Sequence, residues 1–355
     1  MTESLFGVAL PDRLLWFVAV LIGVFFLSAL SLIAAVVLLR VRNIRRRRRW
    51  ARMEMSWEPV ILDVLVGERP ETDLHDLVKP GDQRYFVDFL LRYASRLKGE
   101  ERKTVLQLAR PYLPAIASQL DRRSAERRAR AVKTLGELDA DTYTAQTIAA
   151  LRDPSPLVAI TAARALARHR SPEMVHDLVQ GMETFELWHT RFLAAILAEL
   201  GPDVAPALRG FLEEPQHSAR TRALAAATLE QLNDLTAADA AVAVIETEKD
   251  VDLLVAAVRL IRKVGSGDHV AAVRRLLDAS SPAVRGYAVA TLASIGTLED
   301  TSLIQHAVDD KSSWVVMHAV RGLKAVGRLD ILRELAESDH PRAPAAREVL
   351  AGASP

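Results

Sequence analysis

The sequence predicts an all-α protein, an α-solenoid of helical hairpins preceded by one transmembrane helix. Three observations lead there: an uncharged run near the N-terminus, a repeat of about 31 residues, and a composition suited to helices. Hydrophobic residues make up 50% of the 355 and aromatics only 5%, so a core must be built mostly from Ala, Leu and Val. Ala and Leu lose little side-chain freedom in a helix, whereas strands favour aromatic and β-branched residues. There is no cysteine, which excludes disulfides, thiolate nucleophiles and cysteine-bound zinc.

Residues 14–39 read LLWFVAVLIGVFFLSALSLIAAVVLL, 26 residues without a charge. About 20 helical residues cross a bilayer core, so this run spans it with some tilt. Only Arg13 is basic before the run, and eight arginines follow it up to Arg52. A cleaved leader has a shorter apolar stretch with its positive charge in front. Flanks rich in Arg stay on the cytoplasmic side. The expected arrangement is an extracytoplasmic tail (1–13), a single span of the cell membrane (14–39), and everything from Arg40 onward in the cytoplasm. In the basic juxtamembrane segment 40–56, Arg45, Arg46, Arg47, Arg48 and Arg49 are expected to meet anionic lipid headgroups, with Trp50 at the interface. Beyond Arg52 the chain keeps 37 basic and 43 acidic residues, a balance of about −6. That balance gives no general pull on nucleic acid.

Laid on itself, the chain shows an aliphatic anchor at Leu135, Leu166, Leu197, Leu229, Ile261, Leu292 and Leu323, spaced 31 or 32 residues apart. Four residues before each anchor stand Ala131, Ala162, Leu193, Ala225, Ala257, Ala288 and Ala319. The two positions share a helix face, and a small side chain there lets a neighbouring helix approach. Three residues after the anchor the positions are apolar except for His169. Four after it come Asp139, Arg170, Gly201, Asn233, Gly265, Gly296 and Gly327, a slot expected to close the helix in the left-handed conformation. A second amphipathic helix follows each stop, as in 268–279 and 298–310. Pro156, Pro172, Pro202 and Pro282 stand at helix starts, where the missing N–H costs nothing. Such hairpins bury a core only by stacking. Residues 122–355 are thus the solenoid, and 57–121, where the period weakens, are a divergent helical cap. In the cap, 57–66, 82–98 and 100–120 read as helices, with Gly67 and Gly99 as stops and Pro111 and Pro114 breaking the last.

Over about 122–350 this pattern resembles the HEAT-like, armadillo-like repeats of phycobilisome lyase-type proteins. Ser281-Pro282-Ala283-Val284-Arg285 matches the helix start of that family, while Ala159 replaces its arginine and Trp314 sits beside its proline slot. HEAT-type hydroxylases carry His-Glu dipeptides for a di-iron centre; no histidine here precedes a glutamate. The motifs H-E-x-x-H, G-x-x-x-x-G-K-[ST], G-x-S-x-G and G-x-G-x-x-G are also missing. Neither a catalytic set, a cofactor, a metal nor a small-molecule substrate is expected.

Nine residues before each anchor stand Glu126, Leu157, Trp188, Arg220, Asp252, Ala283 and Trp314. A slot that accepts Glu, Arg and Trp does not read as core, so Trp188 and Trp314 are the candidate protein-binding residues. The expected function is a non-enzymatic, membrane-anchored cytoplasmic scaffold that binds a protein partner through its repeat surface. The alternatives are an accessory subunit of a membrane enzyme complex (envelope polysaccharide or transport), a HEAT-like chromophore lyase, and a nucleic-acid-binding HEAT enzyme.

Overall fold

The computed structural model describes residues 12–138, 140–168, 172–183, 185 and 188–352. Among them every regular element is a helix or a 3-10 turn. The chain divides between Tyr112 and Leu113 into two compact units.

The first unit contains α1 (Asp12–Leu65), α2 (Glu71–Asp76), α3 (Gln83–Ala94) and α4 (Gly99–Ala109). α1 runs unbroken for 54 residues through the apolar run and the arginines. Every described side chain from Trp16 to Leu39 is exposed. Further along, the same helix gains a buried face of Trp57, Val60, Ile61 and Val64. Trp57 meets Phe86 of α3 edge-on at 5.2 Å and Phe89 at 5.6 Å. Leu74 of α2 and Leu108 of α4 are also buried. Gly67, at φ +79°, follows the end of α1. The helix expected over 82–98 ends at Ala94. The one expected over 100–120 breaks at Ala109 into a 3-10 turn containing Pro111.

The second unit begins with α5 (Leu113–Ala117) and then repeats a hairpin. Its pairs are α6 (Ala125–Leu138) and α7 (Ala140–Ala149), α8 (Pro156–Arg168) and α9 (Val175–Glu183), α10 (Thr190–Ala198) and α11 (Ala205–Glu213). There follow α12 (Ala219–Leu232) and α13 (Ala238–Thr247), α14 (Val251–Val264) and α15 (Val270–Arg274), α16 (Pro282–Ile295) and α17 (Thr301–His306). α18 (Ser313–Ala325), α19 (Leu329–Glu337) and α20 (Ala343–Ala351) end it. Even-numbered helices from α6 to α18 form one layer and their odd-numbered partners the other. Neighbours in the first layer touch far more extensively than neighbours in the second, except α8 and α10, whose contact is as small as a second-layer one.

The repeat slots explain this packing. All seven anchors are at most 3% exposed, and the residues four before them at most 1%. First-layer helices approach so closely that a Cβ on Gly136 would lie 2.6 Å from the Cβ of Ala165 on the next helix. A Cβ on Gly322 would lie 3.2 Å from that of Ala293. Ser218 and Asp250 cap α12 and α14 by accepting from the Thr221 and Leu253 amides.

The expected left-handed stop holds at Gly201 (φ +95°), Asn233 (+56°) and Gly327 (+79°). Gly265 and Gly296 differ, at φ −73° and −70° with extended ψ. Their glycine has another cause: a Cβ would sit 2.5 Å from the Ile261 carbonyl oxygen and 2.4 Å from that of Leu292. Asp139, His169 and Arg170 lie outside the described residues.

Arginine ties link successive repeats. Seven residues before its anchor, Arg128 donates twice to the Asp153 carboxylate, at 2.7 and 2.8 Å, and also to the Arg122 and Arg123 carbonyls. Arg285 repeats this on Asp310, at 2.8 and 2.9 Å, and on the Ala279 and Ser280 carbonyls. Arg222, 4% exposed, donates to the Leu212 carbonyl and the Glu248 carboxylate. The guanidinium bonds hold the Asp153 and Asp310 carboxyls below the usual carboxylate range.

Candidate functional site

The slots nine, five and two before the anchor, and two after it, share one face of each first-layer helix. This face is opposite the anchors. None of the seven residues in the slot nine before is buried, but Leu224, Ala227 and Ala256 of the other slots are, so the stripe faces outward except at parts of α12 and α14.

Two clusters of rings occupy it. In the first, Trp188 stacks on Phe192 at 5.1 Å and 21°. The Arg164 guanidinium of the preceding repeat lies over Phe192 at 5.5 Å. Arg220 of the following repeat donates to the Phe185 and Trp188 carbonyls. Trp188, Arg191, Arg220, Asp252 and Arg259 line a groove of about 260 Å³ here.

In the second cluster Trp314, 49% exposed, stands edge-on to His318 at 4.6 Å and to Tyr287 of the preceding repeat at 6.5 Å. Arg259, one repeat earlier again, lies over Tyr287 at 5.6 Å. Both clusters follow one rule: an arginine two before its anchor covers a ring five before the next. Each such contact contributes about 0.5–1 kcal/mol at an exposed site. Burial, with Arg321 and Arg262 nearby, lowers the His318 pKa below the ordinary imidazole value. The shift favours the neutral ring.

The structure thus puts the two candidate tryptophans on one stripe but in different settings. Trp188 is half-buried against the core. Trp314 covers Gly286, where an added Cβ would meet its ring at 2.9 Å. Sequence reasoning missed the partner slots. Arg130, Thr161, Phe192, Leu224, Ala256, Tyr287 and His318 stand five before the anchors, and Lys133, Arg164, Ala195, Ala227, Arg259, Ala290 and Arg321 two before. The second row mixes only cations and alanine, which the sequence already displayed.

The membrane-surface candidates also separate. Arg45, Arg47 and Arg48 are exposed, and the Arg46 side chain lies outside the described residues. Arg49 pairs with Asp82. Trp50 meets Tyr85 edge-on at 5.7 Å, and the Arg92 guanidinium covers it at 4.6 Å. Arg92 in turn pairs with Glu54 at 3.0 Å. Arg49 and Trp50 therefore fasten α3 onto α1 within the first unit.

Another groove, of about 810 Å³, lies in the second unit and is lined in part by Arg274, Arg285, His306, Asp309, Asp310 and Lys311. Its two arginines are committed to Asp300 and Asp310. Among the described residues no cluster of three or more His, Asp or Glu could hold a metal ion.

The HEAT-repeat family pattern matches residues 113–196 and 238–324. No curated protein matches the sequence. Among solved structures, the complex of CpcE and CpcF of phycocyanin lyase from Nostoc is 17% identical, covering 68% of this chain and 94% of its own, with TM-score 0.33. Human deoxyhypusine hydroxylase is 16% identical, covering 69% and 97%, with TM-score 0.32. A triple mutant of Kap121p is 13% identical, covering 77% of this chain but 37% of its own, with TM-score 0.44. The repeat period, the two helical layers and the family pattern agree: this chain carries HEAT repeats, matched over residues 113–196 and 238–324 of its helical array.

Proposed function

We propose that this chain is a membrane-anchored scaffold that displays a protein-binding stripe of HEAT-like repeats at the cytoplasmic membrane surface. One observation carries the binding reading: half-exposed rings and guanidinium groups recur on the outward stripe instead of the polar cover of a solvated face. Aromatic and arginine side chains are the groups enriched at interface hot spots. The anchor is supported by α1, whose apolar stretch is long enough to cross a membrane and, among the described residues, has no protein packed on it. Orientation rests on the arginines after that stretch, and the exposure of Arg45, Arg47 and Arg48 supports reading them as the contacts for anionic headgroups.

The test is crosslinked capture from native membranes. Trp314→Ala should weaken capture by about 2 kcal/mol or more, while the melting temperature of a 53–355 fragment stays nearly unchanged. Trp188→Ala, half-buried, should lower both. Capture lost only in proportion to unfolding in both variants would make the rings packing residues and refute the stripe. An accessory subunit of a membrane complex is the same reading with the partner named. A pigment that copurifies with the chain would favour the chromophore-lyase reading instead.

A further inference from the structure

The two layers of the repeat unit carry opposite charge. The seven first-layer helices, α6 to α18, hold fifteen Arg and Lys against four Asp and Glu. The second-layer helices α7 to α19, with their 3-10 turns, hold five against sixteen. The small net charge of the array conceals a cationic layer backed by an anionic one.

Part of the first-layer charge is internal, since Arg128, Arg222 and Arg285 reach carboxylates between repeats. Of the rest, Arg127, Arg191, Arg262 and Lys324 lie off the outward stripe, and Arg168 and Arg259, on it, pair with Glu137 and Glu230. Arg130, Lys133, Arg164 and Arg321 are exposed and make no ion pair among the described residues. The row two before the anchors holds no acid in any repeat.

We propose that this stripe binds an extended acidic segment of a partner protein, its carboxylates on that cationic row and its apolar side chains on the ring clusters. This rests on the scaffold reading and adds the chemistry of the partner. Adjacent helices lie about 8–10 Å apart, and an extended chain rises about 3.3 Å per residue. One carboxylate in three residues therefore keeps step with the repeats. Trp188 with Phe192, and Trp314 with Tyr287, supply apolar contact area, and the groove at Trp188 admits a side chain. A nucleic-acid strand fits less well. Its charges, about 3.4 Å apart along a strand, would meet Glu126, Glu199 and Asp252, which also lie on the stripe.

The test uses the full chain in nanodiscs of zwitterionic phosphatidylcholine, so that anionic lipid does not compete. The probe is a fluorescent peptide of about 24 residues with Glu at every third position and Phe between, a length that spans the array at about 3.3 Å per residue. Binding, read as anisotropy, should weaken as salt rises. Arg164→Glu with Arg321→Glu should weaken it about tenfold or more, as charge repulsion across an interface costs several kcal/mol. Glu173→Lys on the second layer should leave it unchanged. Circular dichroism confirms that each variant is folded.

Equal loss from both sets, or none from the stripe reversal, overturns the proposal. So does a single-stranded oligonucleotide bound more tightly than the peptide. Self-association abolished by the stripe reversal would give the face to a second copy of the chain and overturn it too. If the peptide fails while Trp314→Ala still weakens capture from native membranes, the acidic partner is wrong and the scaffold reading stands.

Discussion

Replacing Leu292 by Ala tests whether the repeat register governs stability. Leu292 is 1% exposed, at the anchor of α16, with Ala288 fully buried one turn before it. The change removes three carbons, about 0.8 kcal/mol each in transfer, or roughly 2.4 kcal/mol. The first-layer helices are held at close approach on both sides, so collapse is restricted and a cavity term of about 1–2 kcal/mol adds to this. The expected loss is about 3.4–4.4 kcal/mol, inside the range for buried Leu→Ala changes. Urea unfolding of the 53–355 fragment, followed by circular dichroism at 222 nm, measures it. Ala283→Glu is the control: Ala283 lies in the unburied slot nine before the same anchor, and its replacement should stay within about 0.5 kcal/mol. Equal losses at the two sites would refute the register and every slot argument built on it.

Gly286→Ala should move the Trp314 ring, because the new Cβ would lie 2.9 Å from it and 3.1 Å from His318. Better helix propensity, about 1 kcal/mol, offsets the displacement, so emission should change more than stability does; a change that persists in a Trp314→Phe background would contradict this. Asp310, held below the usual carboxylate range by Arg285, contributes stability above the unfolded carboxyl pKa of about 3.9. That contribution is lost as pH falls through the lower folded value. Asp310→Asn should therefore be less stable at pH 7 and flatter in its pH dependence below about 4; parallel curves would show that the pair contributes nothing. Gly265→Ala should destabilise by steric contact with the Ile261 carbonyl, whereas Asn233→Gly should be tolerated, since it relieves a φ of +56°. Comparable losses in both would contradict the two causes assigned to the helix stops.

The sequence displayed the anchors and the small slot before them because each carries a strict demand for burial or close approach, and the structure buries all of them. It displayed the stops only as composition: glycine serves a left-handed turn at Gly201 and a carbonyl contact at Gly265, and residue type alone does not separate the two. The arginine ties are legible as two linked slots. Arg128, Arg222 and Arg285 each have Asp153, Glu248 or Asp310 thirteen residues before the next anchor. The repeats with Ala159, Thr190 or Leu254 instead have Thr184, Gln216 or Ala279 there. Ala159 is thus one member of a paired presence and absence across six junctions, which a single repeat does not display. The opposite charges of the layers stayed hidden for another reason: net charge sums over both helices of a hairpin, and only the fold assigns each to its layer. At α1, single residues gave no hint that Trp50 and Arg49 would turn toward α3, because Asp82, Tyr85 and Arg92 lie 30 or more residues away.

The central claim, a repeat array held on the cytoplasmic side by one membrane span, is tested most directly by labelling from outside. Because the chain has no native cysteine, Ser4→Cys and the exposed Ser338→Cys each give a single probe. An impermeant maleimide on intact cells should label the variant at Ser4 and spare the one at Ser338, which reacts only after the membrane is opened. Labelling at Ser338 in intact cells with Ser4 protected would contradict the orientation and place the binding stripe on the other side of the membrane.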